Sequence, residues 1–297
     1  MTGVRTRRSV RLRLGPGVFL LPAALYLAVL GFYPYFELLR MSVSQVVPEN
    51  LYQPWPFAGL SQFQGAIANA DFQHALLNTL FYVAVVVVSG LTGGLAAALI
   101  LWQRSPFSAL VLGVIVFVWA MPPIVNGSVW RFLFDQRGPV DSLLVAVHVP
   151  PVPWLVSGSL PLLSVALVNA WVAVPFATIV YRAALLDIPP ALLEAAAVDG
   201  AVPGQVIRHV VLPLLRPVTL VLGVITVVYA FRSFDFIYIM TYGGPGTIST
   251  TLPFLAYRLA FQSHQFSLGA ATAVIAVLVV LVLAVVYIRQ VRGEERA

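Results

Sequence analysis

The chain has 297 residues, of which 60% are hydrophobic and 9% are charged, and its mean hydropathy is +0.93. Soluble domains carry about 25% charged residues, so this chain has too little polar surface to cover a globule in water. Cysteine is absent and the four histidines are widely spaced, which excludes disulfides, cysteine nucleophiles and the usual metal-ligand patterns.

Six apolar runs are each long enough to cross a bilayer core, which takes about 20 helical residues. They cover roughly 16–36, 76–101, 108–130, 160–182, 213–235 and 267–289. The first run follows five arginines, but it is too long for a signal peptide and leads into no small-residue cleavage site. We therefore predict an all-α integral membrane protein with six transmembrane helices over 16–289, flanked by cytoplasmic termini at 1–15 and 290–297.

The arginines orient these spans. With the N-terminus inside, twelve of the arginines fall on the cytoplasmic side, four fall on the opposite side, and Arg232 lies within a span. This asymmetry follows the positive-inside rule and predicts that both termini are cytoplasmic. Because the arginines stand at the ends of apolar runs, the net charge of +6 indicates topology and contact with anionic lipid, not nucleic-acid binding.

The cytoplasmic segment between spans four and five does not fit a simple bundle. Pro189-Pro190 suits the first turn of a helix, Glu194 complements the helix dipole, and Asp199-Gly200 supplies a stop. These signals predict a helix of about nine residues, too short to cross the membrane, that lies along its face. We expect Pro203-Gly204 to turn the chain into a second short helix, and Pro213 to open span five.

The spacing within this segment, residues 187–213, is specific. Glu194-Ala195-Ala196, three residues, Gly200, nine residues and Val210–Pro213 match the pattern E-A-A-x3-G-x9-[IV]-x-L-P at every position. Without that spacing, an ordinary cytoplasmic loop with a local helix would explain the segment. Here the sequence resembles the permease subunits of bacterial ATP-binding-cassette importers.

In that family the motif forms a coupling helix that docks in a groove of the ATPase subunit. The resemblance therefore implies an ATPase-coupling role for Glu194, Ala195, Ala196, Asp199, Gly200, Leu212 and Pro213. It also implies three kinds of protein partner: a second homologous permease subunit, two ATPase subunits that bind ATP and Mg, and an extracytoplasmic solute-binding protein. The expected location is the bacterial plasma membrane.

Weaker motifs resemble one branch of the family, the sugar permeases of the maltose and glycerol-3-phosphate importer type. They are Leu21-Pro22, Asn169-Ala170-Trp171, Pro175-Phe176, Phe234–Tyr238, Thr241–Pro245 and Tyr257–Phe261. The resemblance covers nearly the whole chain. It implies half of a translocation pathway for a sugar or sugar-like solute, with a glycerol-phosphate type among the candidates.

Polar residues within spans are costly in hydrocarbon and tend to face a protein interior or an aqueous cavity. Together with nearby aromatic rings they form our candidate substrate pathway: Trp119, Asn126, Asn169, Phe176, Thr226, Tyr229, Arg232, Ser233 and Asp235. Each asparagine could instead bond between helices. Arg232 could bind an anionic substrate or pair with Asp235 three residues on.

The outward-facing loop at Gly243, Gly244 and Pro245 has two interpretations. It could be a flexible turn, or, as the family resemblance implies, a contact for the external binding protein. Asn78-Thr79, at the start of span two, is expected to serve packing or capping.

Two other classes of function fit less well. A stand-alone secondary transporter would be expected to show inverted repeats and intramembrane carboxylates, which are missing or sparse. An intramembrane enzyme would need paired carboxylates or a Ser/His constellation at matching depth. The chain also lacks a GxxxxGK[ST] phosphate-binding loop. We therefore predict a non-catalytic subunit that itself binds no cofactor, metal or ATP.

Overall fold

The computed structural model describes residues 17–103 and 105–294. In these residues the regular structure is helical, apart from an isolated antiparallel bridge between Ser44 and Phe57. The predicted cytoplasmic N-terminus 1–15, Arg104 and the last residues, 295–297, lie outside the described part of the chain.

We number the helices in chain order. Three contain a π turn, and a short 3-10 turn at Pro48–Asn50 is left unnumbered. The helices are α1 (Gly17–Tyr26, a π turn over Leu27–Phe32, then Tyr33–Ser42), α2 (Ser61–Ala68), α3 (Ala70–Ile100), α4 (Pro106–Ala120), α5 (Pro123–Leu133), α6 (Pro139–Ala146), α7 (Leu160–Leu186), α8 (Pro190–Val198), α9 (Pro203–Val206, a π turn over Ile207–Val211, then Leu212–Phe231), α10 (Asp235–Met240), α11 (Leu252–Tyr257, then a π turn over Arg258–Gln262) and α12 (Phe266–Glu294).

Five of these helices, α1, α3, α7, α9 and α12, are long and apolar enough to cross a membrane. The pair α4 and α5 meets the same requirement together and makes a sixth span, bent by 99° at its break. The predicted six-span all-α architecture, with a short helix between spans four and five, is confirmed.

The prediction of an unbroken third span over 108–130 is wrong. The helix stops at Ala120 and restarts at Pro123, with Met121 and Pro122 in extended conformations. A residue before proline is pushed away from the helical region, and proline removes a backbone N–H. Pro122-Pro123 therefore interrupts the span, a local signal that hydropathy alone does not show.

The predicted start and end of span five are also wrong. The second short helix expected after Pro203-Gly204 is not separate, because α9 runs from Pro203 to Phe231 in one piece. A π turn over Ile207–Val211 lies just before Pro213. This wider turn accommodates a residue that cannot donate a regular helical hydrogen bond. At the other end, Asp235 belongs to the separate helix α10 and not to the span.

The core of the fold is the pair α3 and α7, which has the most extensive contact between any two helices here. Gly90 and Gly94 of α3 face Ala173 and Ala177 of α7, and a side-chain carbon added at Gly94 would collide with Ala177. Small residues at this spacing let two backbones approach closely within a membrane. Of the most apolar stretch of α7, 56% is buried, whereas none of α1 is, so α7 is central and α1 peripheral.

Candidate functional site

The short helix α8 is delimited by local chemistry. Pro190 occupies its first position, and its C-terminus is closed by Gly200 at a φ of +75°. The Gly200 N–H donates to Ala197 O at 3.1 Å and the Ala201 N–H donates to Ala196 O at 3.0 Å. This bond pair is a Schellman closure, which requires the left-handed conformation that glycine adopts most readily.

The coupling residues predicted from the sequence lie on an exposed surface. Glu194, Ala195, Asp199 and Gly200 are exposed, and Ala196 is half-buried. On α9, Leu212 and Pro213 are exposed as well.

A partner could dock on this surface without the helix losing its own anchorage. Leu193 holds α8 to the body of the protein by packing against the buried cluster that contains Ile188 and Val211. Val198 is 88% exposed, so an apolar side chain at the tip of α8 has no cover within the described structure.

A cavity of about 230 Å³ lies between α4, α7 and α9. Four predicted pathway residues line it: Trp119, Phe176, Thr226 and Tyr229. The rings of Trp119 and Phe176 stack, with centroids 5.9 Å apart and an interplanar angle of 22°. The Thr226 hydroxyl donates to Leu222 O at 2.7 Å. The cavity is therefore mostly apolar and aromatic, with Thr226 and Tyr229 as the two residues of its lining that carry hydroxyl groups.

Asn169 and Ser233 belong to a separate polar network, which is buried. The Asn169 side-chain amide donates to Tyr82 Oη at 2.9 Å and to Ser233 Oγ at 2.8 Å. Ser233 in turn donates to Tyr229 O at 3.0 Å, which links the network to the wall of the cavity. Asn169 Oδ1 is buried and has no hydrogen-bond partner among the described residues. Sequence reasoning missed Tyr82, although a hydroxyl in the middle of an apolar span was an available signal.

Besides Asn169 and Ser233, three more predicted pathway residues do not line the cavity. Asn126 is buried and donates to Met121 O at 3.2 Å, so it bridges the break between α4 and α5. Arg232 and Asp235 are exposed on either side of the break between α9 and α10.

The alternative explanation of Arg232, an ion pair with Asp235, is wrong. In the described part of the chain the ion pairs are Glu37–Arg40 and Asp71–Arg258.

The loop that carries Gly243, Gly244 and Pro245 is joined by hydrogen bonds to α3 and to the residues that follow it. The Asn78 side-chain NH2 shares its two hydrogens among three backbone carbonyls just after Pro245, those of Thr247, Ile248 and Thr250, at N···O distances of 2.9–3.2 Å. Further hydrogen bonds come from two hydroxyls: Thr250 donates to Gly243 O at 3.0 Å and Ser249 donates to Gly244 O at 2.7 Å.

These bonds tie the base of the loop to its neighbours. Gly243 is buried while Pro245 and Gly246 are exposed. The loop therefore has a bonded base and an exposed tip.

Comparison with known proteins agrees with this architecture. The family described as "Binding-protein-dependent transport system inner membrane component" matches residues 89–293. A permease protein of Sinorhizobium fredii is 33% identical over 91% of this chain and 87% of its own length. The diacetylchitobiose uptake system permease of Streptomyces coelicolor is 30% identical over 99% of this chain and 92% of its own length. The trehalose/maltose transport system permease of Thermococcus litoralis is 29% identical over 79% of each chain.

Among solved structures, a chain of a bacterial transporter that imports the acidic polysaccharide alginate has the same fold. Its TM-score to this chain is 0.80 and its sequence identity is 23%. The superposition covers 93% of this chain and 94% of that chain. The chain therefore belongs to the family of binding-protein-dependent transport system inner membrane components, and it is a non-catalytic, multi-pass permease subunit of an ATP-binding-cassette importer.

Proposed function

We propose that this chain forms half of the translocation pathway for a sugar or oligosaccharide, with the cavity between α4, α7 and α9 as its substrate-facing wall. The stacked pair of Trp119 and Phe176, beside the Thr226 and Tyr229 hydroxyls, is the observation that carries this proposal. Sugars present apolar faces and hydroxyl groups together, and this wall matches both. Curated relatives include permeases for trehalose/maltose and for diacetylchitobiose.

The cavity in this chain is one wall of a larger site. A second permease subunit supplies the opposite wall, and an external binding protein delivers the solute. The loop at Gly243–Pro245 is our candidate for contact with that binding protein, because its tip is exposed while its base is tied to Asn78. In this proposal the protein spans a bacterial plasma membrane, and both of its termini are cytoplasmic.

ATP binding and hydrolysis, with Mg, take place on two separate ATPase subunits. The conformational change of the ATPase subunits reaches this chain through α8. The exposed Glu194 and the C-terminus of α8 at Gly200 form the docking element. Leu212 and Pro213 extend that element onto α9. A stand-alone secondary transporter would have no use for an exposed helix of nine residues at this position.

A narrower candidate substrate is an acidic or phosphorylated sugar, including the glycerol-phosphate type. One observation bears on it: Arg232 is exposed just past the end of α9, outside the cavity wall, and the ion pairs of the described residues do not include one between Arg232 and Asp235. Stimulation of ATPase activity by the loaded binding protein would distinguish the substrates. Neutral disaccharides, uronate oligosaccharides and glycerophosphodiesters form the panel, and replacement of Arg232 by Gln should weaken only the response to the anionic members.

The coupling role is tested by replacing Gly200 with Ala in the assembled complex. The left-handed φ of Gly200 makes a side chain there unfavourable by about 1–2 kcal/mol, which should distort the end of α8. We expect transport to fall while ATP hydrolysis continues. Gly204→Ala is the matched control, since a side chain there meets no atom within 4 Å. Equal transport by the two variants would show that α8 is not the coupling element.

A further inference from the structure

A second groove, distinct from the proposed substrate cavity, opens between α3, α7, α9 and α12. Its volume is about 640 Å³. It is lined on one side by α3 and on the other by the first half of α9, and its walls are Val87, Val88, Leu91, Thr92, Leu95, Tyr181, Arg208, Leu212, Pro213, Arg216, Thr219, Leu220 and Tyr287.

Two positive charges line this groove. Arg208 and Arg216 are both exposed, and neither takes part in the ion pairs formed by the described side chains. Both arginines belong to the cytoplasmic half of α9, next to the coupling helix. The groove thus has a basic rim at the end of a membrane span.

The rest of the groove is apolar. Val87, Val88, Leu91 and Leu95 form the wall on α3. They occupy the part of α3 that crosses the membrane, so the groove extends from the basic rim into the hydrocarbon region.

The hydroxyl groups at the inner end of the groove are hydrogen-bonded within the protein. Tyr181 Oη donates to Thr219 Oγ1 at 3.1 Å, and Tyr287 Oη donates to Thr219 O at 3.2 Å. Tyr287 reaches this position because Gly223 has no side chain, and a carbon added there would overlap its hydroxyl. Since these polar atoms are already bonded, they leave no unmet demand for water or for a polar ligand.

The groove therefore combines a basic rim with an apolar interior that runs along α9. From Arg208 to Leu220 the helix rises about 18 Å, so a ligand that fills it is long and amphipathic. A soluble phosphate would leave the apolar walls uncovered. A lipid tail alone would leave the two guanidinium groups without a counter-charge.

We propose that this groove binds an anionic phospholipid of the cytoplasmic leaflet, with its headgroup at Arg208 and Arg216 and an acyl chain against α3. The side of the membrane rests on the topology proposed above. Basic pockets between transmembrane helices are the sites where anionic headgroups bind. Because Leu212 and Pro213 line the same groove, a bound lipid supports α9 at the point where the coupling motif ends.

Native mass spectrometry of the purified importer complex tests this proposal directly. Delipidated complex is titrated with dioleoyl phosphatidylglycerol, and in parallel with dioleoyl phosphatidylcholine, which has the same chains without the net charge. We expect preferential retention of the anionic lipid. The double variant Arg208→Gln/Arg216→Gln should weaken its binding about 30-fold, since each basic residue contributes about 1 kcal/mol near a membrane surface.

A matched control removes the same charge outside the groove, as Arg137→Gln/Arg289→Gln. It should bind the anionic lipid as the wild type does. Equal weakening in both double variants, or equal retention of the two lipids, would overturn the proposal in favour of general charge attraction. Two further results would overturn it. If soluble glycerol 3-phosphate displaces the lipid, the groove binds a free anion. If the lipid is retained only when the ATPase subunits are absent, the groove is a contact for the ATPase. Lipid binding is measured without transport, so its failure leaves the proposed import function standing.

Discussion

The Asn169 side-chain nitrogen on α7 lies 2.8 Å from Ser233 Oγ at the end of α9, and 2.9 Å from Tyr82 Oη on α3. One amide therefore joins α3 and α7 to the residue that follows the end of α9. Its side chain is fully buried. Asn169 supports the wall of the proposed substrate cavity from behind and does not line it.

Replacing Asn169 with Leu should destabilise the chain by about 1 kcal/mol, in the range measured for hydrogen bonds between membrane helices. The physical reason is that the Tyr82 and Ser233 hydroxyls lose a shared donor. The apparent melting temperature of the purified complex measures this effect. Tyr82→Phe is the control, because it removes one of the two bonds and should give a smaller decrease; an unchanged melting temperature for Asn169→Leu would contradict the network.

Gly94→Leu should prevent α3 from packing on α7. A side-chain carbon at Gly94 collides with the backbone and side chain of Ala177, and neither can move aside. We expect almost no folded protein in detergent extracts, as measured by fluorescence-detected size exclusion. Gly113→Leu on α4 is the matched control, since the space around Gly113 is open within 4 Å. Similar yields of the two variants would show that the close approach is not needed.

Asn78→Ala should loosen the loop at Gly243–Pro245. The two amide hydrogens that Asn78 shares among the carbonyls of Thr247, Ile248 and Thr250 are lost together, and each hydrogen bond contributes about 1 kcal/mol. Faster proteolytic cleavage within 243–250 measures the change, and stimulation of ATPase activity by the binding protein should fall with it. Thr247→Ala, which leaves the bonded carbonyl in place, should behave as the wild type. A loop equally protected in both variants would argue against its being held by Asn78.

Trp119→Ala should raise the substrate concentration for half-maximal transport about tenfold. That change corresponds to about 1.4 kcal/mol, the upper part of the range for an aromatic contact. Transport by proteoliposomes across a range of substrate concentrations gives the measurement. Phe117→Ala is the control on the same helix, because Phe117 is exposed and does not line the cavity. If both variants lose affinity equally, the effect comes from the packing of α4 and not from a contact between Trp119 and the substrate.

Most of the span positions could be predicted from the sequence, because a stretch such as Phe266–Arg289 is apolar through its whole length. The helix at Pro190–Val198 was equally predictable, since its signals at Pro190 and Gly200 act within one or two turns. The break at Pro122-Pro123 was also a local signal, but apolar residues on both sides hid it from hydropathy.

The tertiary structure decided what individual side chains do. Asn126 and Asn169 are the same residue type inside apolar spans, yet one bridges a helix break and the other joins α3 and α7 to the residue that follows the end of α9. The sequence determined which segments enter the membrane, because that depends on the composition of each segment alone. The rotation of each helix about its axis is set by its neighbours, here by the close packing of Gly94 on Ala177, and that rotation brought Trp119, Phe176, Thr226 and Tyr229 to one cavity while leaving Arg232 and Asp235 outside it.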